Sequence, residues 1–389
     1  MLLLRWKRIV NIMKVLIVEQ LGKNNWEYVY SAAKYMAIDN DITCYMSDTT
    51  PDIKEKHDFK IVYGFHGAYA GNVINKVFNY IKSLVQLKKY IKDNKFDIVH
   101  FEWFSLPWVE WLYIRQLKHL SKIVITVNDV IPFNKRPLEM RCLQWIYSAA
   151  DSILLHTEDT LNLFNTIFKT SCAKYVITPA FRDKANYKKI DKLQARRHLG
   201  IPDDKDVVLY FGTVRQSKGL DLLIKAFPKA LQVNPNLFLL GAGAFHAVNE
   251  EYYIKLVNDN LNDDCGKFNF MHVSDDELQY YFSAADILCV PYREIYQSGI
   301  AQFGLIFELP IIGSNLKRMS DMIKAGVNGE VFECENIEDL ATKLSMLSLD
   351  KEKILMYCEG SKNISLKNFS VAERAKRTLE AYSALVGEI

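Results

Sequence analysis

No two of the seven cysteines form a Cys-x-x-Cys pair; they are scattered at 44, 142, 172, 265, 289, 334 and 358. An odd, dispersed set fits buried thiols in a reducing compartment and argues against a disulfide framework or a zinc site. Charge of one sign is not in excess. Against 49 Lys and Arg stand 46 Asp and Glu, a formal net charge of +3, too mild to imply a nucleic-acid partner, so any basic partner surface must be local. There is no short-period repeat, no low-complexity segment and no apolar run long enough to cross a bilayer. The amino terminus, "MLLLRWKRIVNIMKVLIVEQ", is interrupted by Arg5, Lys7 and Arg8 and lacks a small-residue cleavage site. It reads either as a basic interfacial anchor or as a leader before a functional start at Met13. G-x-G-x-x-G is missing as well. The loop "EQLGKNNWEY" has one glycine, and "LLGAGAFHAV" offers Gly241 and Gly243 without a third at the required spacing, which argues against a redox dinucleotide enzyme. The D-x-D at Asp39-Asn40-Asp41 falls at a helix-to-strand turn, where Asp and Asn are expected for local reasons.

What is present is an alternation. Short apolar runs, "KVLIVEQ" (14–20), "DITCYMSD", "FDIVHFEW" (96–103), "KIVITVND" (122–129), "DSILLHT" (151–157) and "AKYVITPAF" (173–181), are separated by amphipathic stretches in the first half. The second half repeats the pattern with "DVVLYFG" (206–212), "NLFLLGAG" (236–243), "KFNFMHV" (267–273), "DILCVPY" (286–292) and "LPIIGSN" (309–315). Strands alternating with helices predict parallel sheets. The polar stretch 182–206 separates two doubly wound α/β domains, 1–185 and 186–368.

The segment "FGTVRQSKGLD" (211–221) places Arg215 and Lys218 between two glycines at the carboxyl end of a buried strand. In open α/β sheets ligands collect there, and two cations suit a phosphate or diphosphate as well as they suit a solvated basic loop. The loop "YREIYQSG" precedes a helix near Ser298, whose free N–H groups form an anion site.

Read with "FDIVHFEWF", "IVITVNDVIP" and "AADSILLHTED", the stretches "GTVRQSKGLDLLIKAF" and 268–332 closely resemble family 4 glycosyltransferases, retaining enzymes of the GT-B fold. The resemblance implies two Rossmann-like domains facing each other across a cleft, acceptor domain first and nucleotide-sugar domain second. A carboxyl-terminal helix (369–389) crosses back onto the first. It assigns the donor diphosphate to Arg215 and Lys218, whose fixed charges would stabilise the leaving group without a metal ion. Gly212, Gly241, Val273, Arg293, Glu294, Gln297, Ser298, Gly299, Ile300 and Gln302 fall on the donor side, and Gly22, His100, Glu102 and Asp129 on the acceptor side.

Two positions depart from the family. Its glutamate pair would fall at Ile295 and Phe303, and the chain is similar instead to members with Y-R-x-x-x-Q-S-G. Asn128 stands where relatives have histidine; an amide can hydrogen-bond a hydroxyl but carries no proton, so the leaving phosphate would take the acceptor's proton. Asn128-Asp129 also reads as a turn cap.

The expected activity is retaining transfer from a UDP- or GDP-sugar to a glycan or lipid-linked acceptor in bacterial surface polysaccharide synthesis, with no cofactor and no metal. A nucleotide-sugar epimerase or a non-catalytic partner subunit of the same fold is the alternative. The segment 73–96 is a basic amphipathic helix. It places Ile74, Val77, Phe78, Ile81, Leu84, Val85 and Ile91 on one face, suited to an anionic membrane surface or to core packing. The expected location is cytoplasmic, peripheral on the inner face of the membrane.

Overall fold

The computed structural model describes residues 12–22, 25–53, 56–68, 72–132, 136–178, 180, 182–295 and 298–387. The leader 1–11 and Gln297 lie outside the described residues. The chain divides into two units: Met1–Phe181 with Ser370–Ile389, and Arg182–Phe369.

Unit 1 runs β1 (Lys14–Glu19), α1 (Trp26–Met36), β2 (Asp41–Ser47), β3 (Lys60–Phe65), α2 (Val73–Asn94), β4 (Ile98–Phe101), α3 (Pro107–Leu117), β5 (Lys122–Thr126), α4 (Glu139–Ala149), β6 (Ser152–Leu155), α5 (Glu158–Ile167) and β7 (Ala173–Val176). Its seven strands are parallel, in the order β3-β2-β1-β4-β5-β6-β7. Strand order reverses between β1 and β4, so their carboxyl ends open the crevice where ligands bind in such sheets. Central strands such as KVLIVE and IVHF are buried along almost their whole length, which is why they read as continuous apolar runs rather than alternating ones. The edge strand β3, KIVYGF, is half exposed, and no expectation covered it.

Unit 2 runs α6 (Lys192–Leu199), β8 (Asp206–Phe211), α7 (Leu220–Val233), β9 (Leu237–Ala242), α8 (Glu250–Asn260), β10 (Gly266–Asn269), α9 (Asp275–Ala284), β11 (Ile287–Val290), α10 (Gly299–Ile306), β12 (Ile311–Ser314), β13 (Gly329–Phe332), α11 (Ile337–Leu349) and α12 (Lys351–Asn368). The six parallel strands follow the order β10-β9-β8-β11-β12-β13. The switch between β8 and β11 places the loops after those two strands side by side. Helix starts follow local chemistry: Asn249, Ser274, Asn336 and Asp350 each accept a backbone N–H of the helix they precede, satisfying donors that would otherwise be orphaned.

The last helix, α13 (Val371–Val386), is capped by Ser370 and belongs to unit 1. Val371, Ala375, Ala381 and Tyr382 join the core around β1 and α1. Arg374 is 1% exposed. It donates to the carbonyls of Ala180 and Tyr28 and lies 3.6 Å above the Tyr28 ring. All seven cysteines are free thiols. Among the described residues no helix is long and apolar enough to cross a membrane.

Candidate active site

In unit 2 the β8–α7 loop is stitched to the β11–α10 loop. Gly219 has φ +64°, and a Cβ there would lie 1.8 Å from the Pro291 carbonyl oxygen, so only glycine lets α7 start against that loop. The Ser217 carbonyl accepts from the backbone N–H groups of Arg293 (2.8 Å) and Glu294 (3.3 Å). The Arg293 guanidinium donates to both carboxylate oxygens of Asp221 (2.8 Å each), to Glu335 (2.8 Å) and to the Gln216 carbonyl (2.8 Å). Arg293, expected at the donor, is therefore a correction: its five-donor fork holds the two loops together. Glu294 is exposed beside it.

On this platform stand Arg215, exposed, and Lys218, half-buried. Among the described residues neither has a carboxylate within ion-pair distance. The Lys218 ammonium lies 3.9 Å over the Tyr292 ring, a cation–π seat. Burial, with the Arg215 charge next in effect, lowers its pKa from 10.5 to about 8.

The α10 start lies on the same side. Ser298 is 1% exposed and accepts from the Ala301 N–H (3.0 Å), so its hydroxyl builds the helix end rather than facing a ligand. Gly299 is exposed, and among the described residues nothing lies within 4 Å of the position a Cβ would take. Ile300 covers Gly212, which has φ +113°. Val273 is half-buried, and Gln302 is buried at 2% exposure. Gly241 is a further correction: it lies within β9, where a Cβ would meet the Phe268 ring at 2.3 Å, so packing inside the sheet, not ligand approach, requires it.

In unit 1 the ends of β1, β4 and β5 meet. The β1–α1 turn folds around the Glu19 carboxylate, which accepts from the N–H groups of Leu21 (2.8 Å) and Gly22 (2.7 Å); Gly22 has φ +56°. Glu102 is 6% exposed, and its Oε2 has no hydrogen-bond partner. Burial raises both carboxyls to about 7. His100 is a correction. It is 2% exposed, with its ring nitrogens at 2.6 Å from the Tyr382 hydroxyl and 2.7 Å from Thr126 Oγ1, and burial lowers its pKa to about 3. It is a neutral core residue. Asn128 donates to the Glu102 carbonyl (2.8 Å) and its amide oxygen lies 2.9 Å from His156 Nε2, which orients it. Glu102, Asn128 and Asp129 line a cavity of about 420 Å³ within unit 1.

The D-x-D at Asp39–Asp41 occupies the α1–β2 turn, where Asn40 donates to the Met36 carbonyl. Another, Asp204-Lys205-Asp206, begins β8, and Asp206 there accepts from Asn234. Neither is near these loops' ligand-facing atoms in its bonding. Glu19 and Tyr382 escaped the sequence reading because nothing in their own neighbourhoods marks them; only the Glu19-x-Leu21-Gly22 turn could have hinted at the first.

Two family models match the chain. That of the glycosyl transferases group 1 covers residues 191–363, and that of Glycosyltransferase Family 4 covers 27–183. The chain belongs to the family 4 glycosyltransferases. It is 23% identical over 321 residues to an uncharacterized glycosyltransferase of Methanocaldococcus jannaschii, covering 74% of this chain and 75% of that one. It is 20% identical over 337 residues to a D-inositol 3-phosphate glycosyltransferase of Stackebrandtia nassauensis, covering 82% and 75%. Among solved structures, sucrose-phosphate synthase from Thermosynechococcus elongatus superposes with TM-score 0.75 at 16% identity, over 96% of this chain and 99% of that one. HepE of Anabaena, in complex with UDP and glucose, superposes with TM-score 0.71 at 16% identity, over 96% and 100%. The fold is GT-B, two parallel-sheet Rossmann-like domains.

Proposed function

We propose that unit 2 binds a UDP- or GDP-sugar and that the chain transfers the sugar, with retention, to a glycan or lipid-linked acceptor held by unit 1, in surface polysaccharide synthesis at the cytoplasmic face of the membrane. The observation that carries this is the pair of cations, Arg215 and Lys218, with no carboxylate in ion-pair distance among the described residues, on a loop pinned by Arg293 beside the α10 N-terminus. When the glycosidic bond to the donor breaks, the nucleoside diphosphate gains charge, and preorganised cations stabilise that charge without reorganising. The helix start adds N–H groups and its dipole to the same anion, and Gly299, which has no Cβ, lets a phosphate or sugar approach the backbone. The Y-R-x-x-x-Q-S-G loop stands in for the family's glutamate pair through these backbone groups. The two cations replace a metal ion. The leaving phosphate takes the acceptor hydroxyl's proton, which suits an Asn at position 128.

The experiment is calorimetry against a panel of UDP- and GDP-sugars, followed by turnover of the donor that binds, with and without EDTA. Saturable donor binding and EDTA-resistant transfer are expected. Binding without transfer or donor hydrolysis would identify a non-catalytic subunit, C-epimerised product an epimerase, and activity restored only by Mg²⁺ or Mn²⁺ a metal-dependent enzyme.

A second observation favours membrane contact. On α2 the residues Tyr80, Leu84, Leu87 and Ile91 enter the core, whereas Ile74 (79% exposed), Phe78 (67%), Ile81 and Val85 face outward. Lys82, Lys89 and Lys92 are exposed along the same helix, which contains no acidic residue before Asp93. An apolar stripe whose charged neighbours before Asp93 are all cations fits an anionic bilayer surface.

A further inference from the structure

We propose that Tyr292 is a positioning residue of the anion site in unit 2, a single buried side chain that holds both the Lys218 ammonium and the start of α10. The inference rests on reading that site as the donor's. It adds the group that keeps the site's cation in place while leaving its charge free.

Tyr292 follows β11 and is 1% exposed. Its ring belongs to the buried core of unit 2, so packing rather than a ligand fixes its place. The ring face carries the Lys218 ammonium at 3.9 Å from its centroid. The hydroxyl accepts from Ser298 Oγ (3.3 Å), and that same Ser298 oxygen takes the Ala301 N–H (3.0 Å) at the first turn of α10. One residue therefore joins the cation of the β8–α7 loop to the helix end that follows the β11–α10 loop.

Lys218 needs such a seat. Burial, and after it the neighbouring Arg215, disfavours its charged form. Asp221 and Glu335 are bonded to Arg293, and among the described residues no carboxylate lies within ion-pair distance of Lys218. A carboxylate in the place of the ring would hold the ammonium, but it would also meet an incoming diphosphate as a like charge. An aromatic face attracts a cation through its quadrupole and carries no net charge. It fixes the ammonium and leaves the whole charge to the anion, which is the preorganisation that makes a fixed cation effective.

The test compares full-length parent, Tyr292→Phe and Tyr292→Leu. Competitive labelling with acetic anhydride, read by peptide mass spectrometry over a pH series without nucleotide, gives the titration midpoint of Lys218. Calorimetry gives the affinity for UDP and GDP. Tyr292→Phe keeps the ring and loses one hydrogen bond, so Lys218 should titrate as in the parent and the nucleotide should bind within a few-fold. Tyr292→Leu removes the face. The Lys218 midpoint should fall by about half a pH unit or more, and the nucleotide should bind about 3- to 10-fold more weakly than to Tyr292→Phe. In a Lys218→Ala background the difference between Leu and Phe at position 292 should shrink below about 2-fold, because the partner of the face is gone. Circular dichroism and melting check folding. Phenylalanines with one, two and three ring fluorines at position 292 keep the shape and weaken the face in steps, so the midpoint should fall in steps even where Tyr292→Leu does not fold. Lys218 titrating alike in all these proteins, or an equal cost of Tyr292→Leu with and without Lys218, overturns the proposal. A parent that binds neither UDP nor GDP overturns the donor reading instead, and the labelling still decides on Tyr292.

Discussion

At the strand ends of unit 2 the backbone is pinched by Gly212 and Gly219, and two cations stand without counter-ions among the described residues. At the strand ends of unit 1 the side chains are buried carboxyls: Glu19, held by the turn that follows it, and Glu102. The two sheets share parallel topology and a switch point, yet their ligand ends have opposite chemistry. Desolvation acts on both in the same sense, towards neutrality: it brings Lys218 down to about 8 and the two carboxyls up to about 7. Each site thus holds groups whose charge or proton is easily recovered when a complementary partner arrives. The donor diphosphate proposed for unit 2 matches the first.

The sharpest way to break this comparison is to remove the cations. Lys218→Ala and Arg215→Ala should each lower turnover by about 10²–10³-fold in protein shown to be folded; near-normal rates in both would remove the phosphate site from this loop. Lys218 also sets a pH dependence. In the free protein the ammonium is present below about pH 8 and is lost as pH rises through that value, so donor kcat/KM should fall on the alkaline side. A bound diphosphate favours the charged form and should move the kcat limb to higher pH. For stability the sign is reversed. Because the folded pKa lies below the unfolded 10.5, the charged lysine disfavours folding below about pH 8, and Lys218→Met should melt above the parent at pH 7.

A smaller effect is expected at Arg293, which acts on the cations only through the loop. Arg293→Ala should raise the donor KM about 10-fold with less change in kcat, in line with the loss of a charge-assisted pair. Asp221→Asn should do the same. The double variant should be little worse than either single one, since both break one interaction, and Arg293→Lys should not rescue, because lysine lacks the bidentate fork. Additive losses, or a pure kcat effect, would mean that Arg293 meets the substrate itself.

The smallest effects belong to α2. Each of Lys82, Lys89 and Lys92 changed to Gln should weaken binding to phosphatidylserine vesicles by about 1 kcal/mol, an effect screened by salt. Phe78→Ser should weaken it regardless of salt. Binding indifferent to lipid charge would return α2 to an ordinary solvated helix.

Much of this was legible in the sequence where the signal is local. Buried parallel strands are continuous apolar runs, and Arg215 to Gly219 lies within eight residues of the end of β8. What stayed hidden depends on partners distant along the chain. Arg293 looked like a ligand because Asp221 and Glu335, which claim it, lie 72 and 42 residues away. His100 looked like a cleft residue because Tyr382, which seals it, lies 282 residues on. On α2 the apolar residues read as one face. The structure separates them: Leu84 and Ile91 turn inward with Tyr80 and Leu87, while Ile74, Phe78 and Val85 turn outward. A helix apolar on more than half its circumference has no unique inner side until the sheet beneath it selects one.

The last helix also has a consequence for biosynthesis. Unit 2 is contiguous, so a nascent chain can complete it as soon as residue 369 leaves the ribosome. Unit 1 begins first but finishes last. Its core between β1 and α1 awaits Val371, Ala375 and Tyr382, and the carbonyls of Tyr28 and Ala180 await Arg374. During most of translation the older half therefore carries an open hydrophobic seam, a natural place for a chaperone to hold. A premature stop after residue 369 would leave this seam permanently open, turning the loss of one helix into the loss of a whole domain.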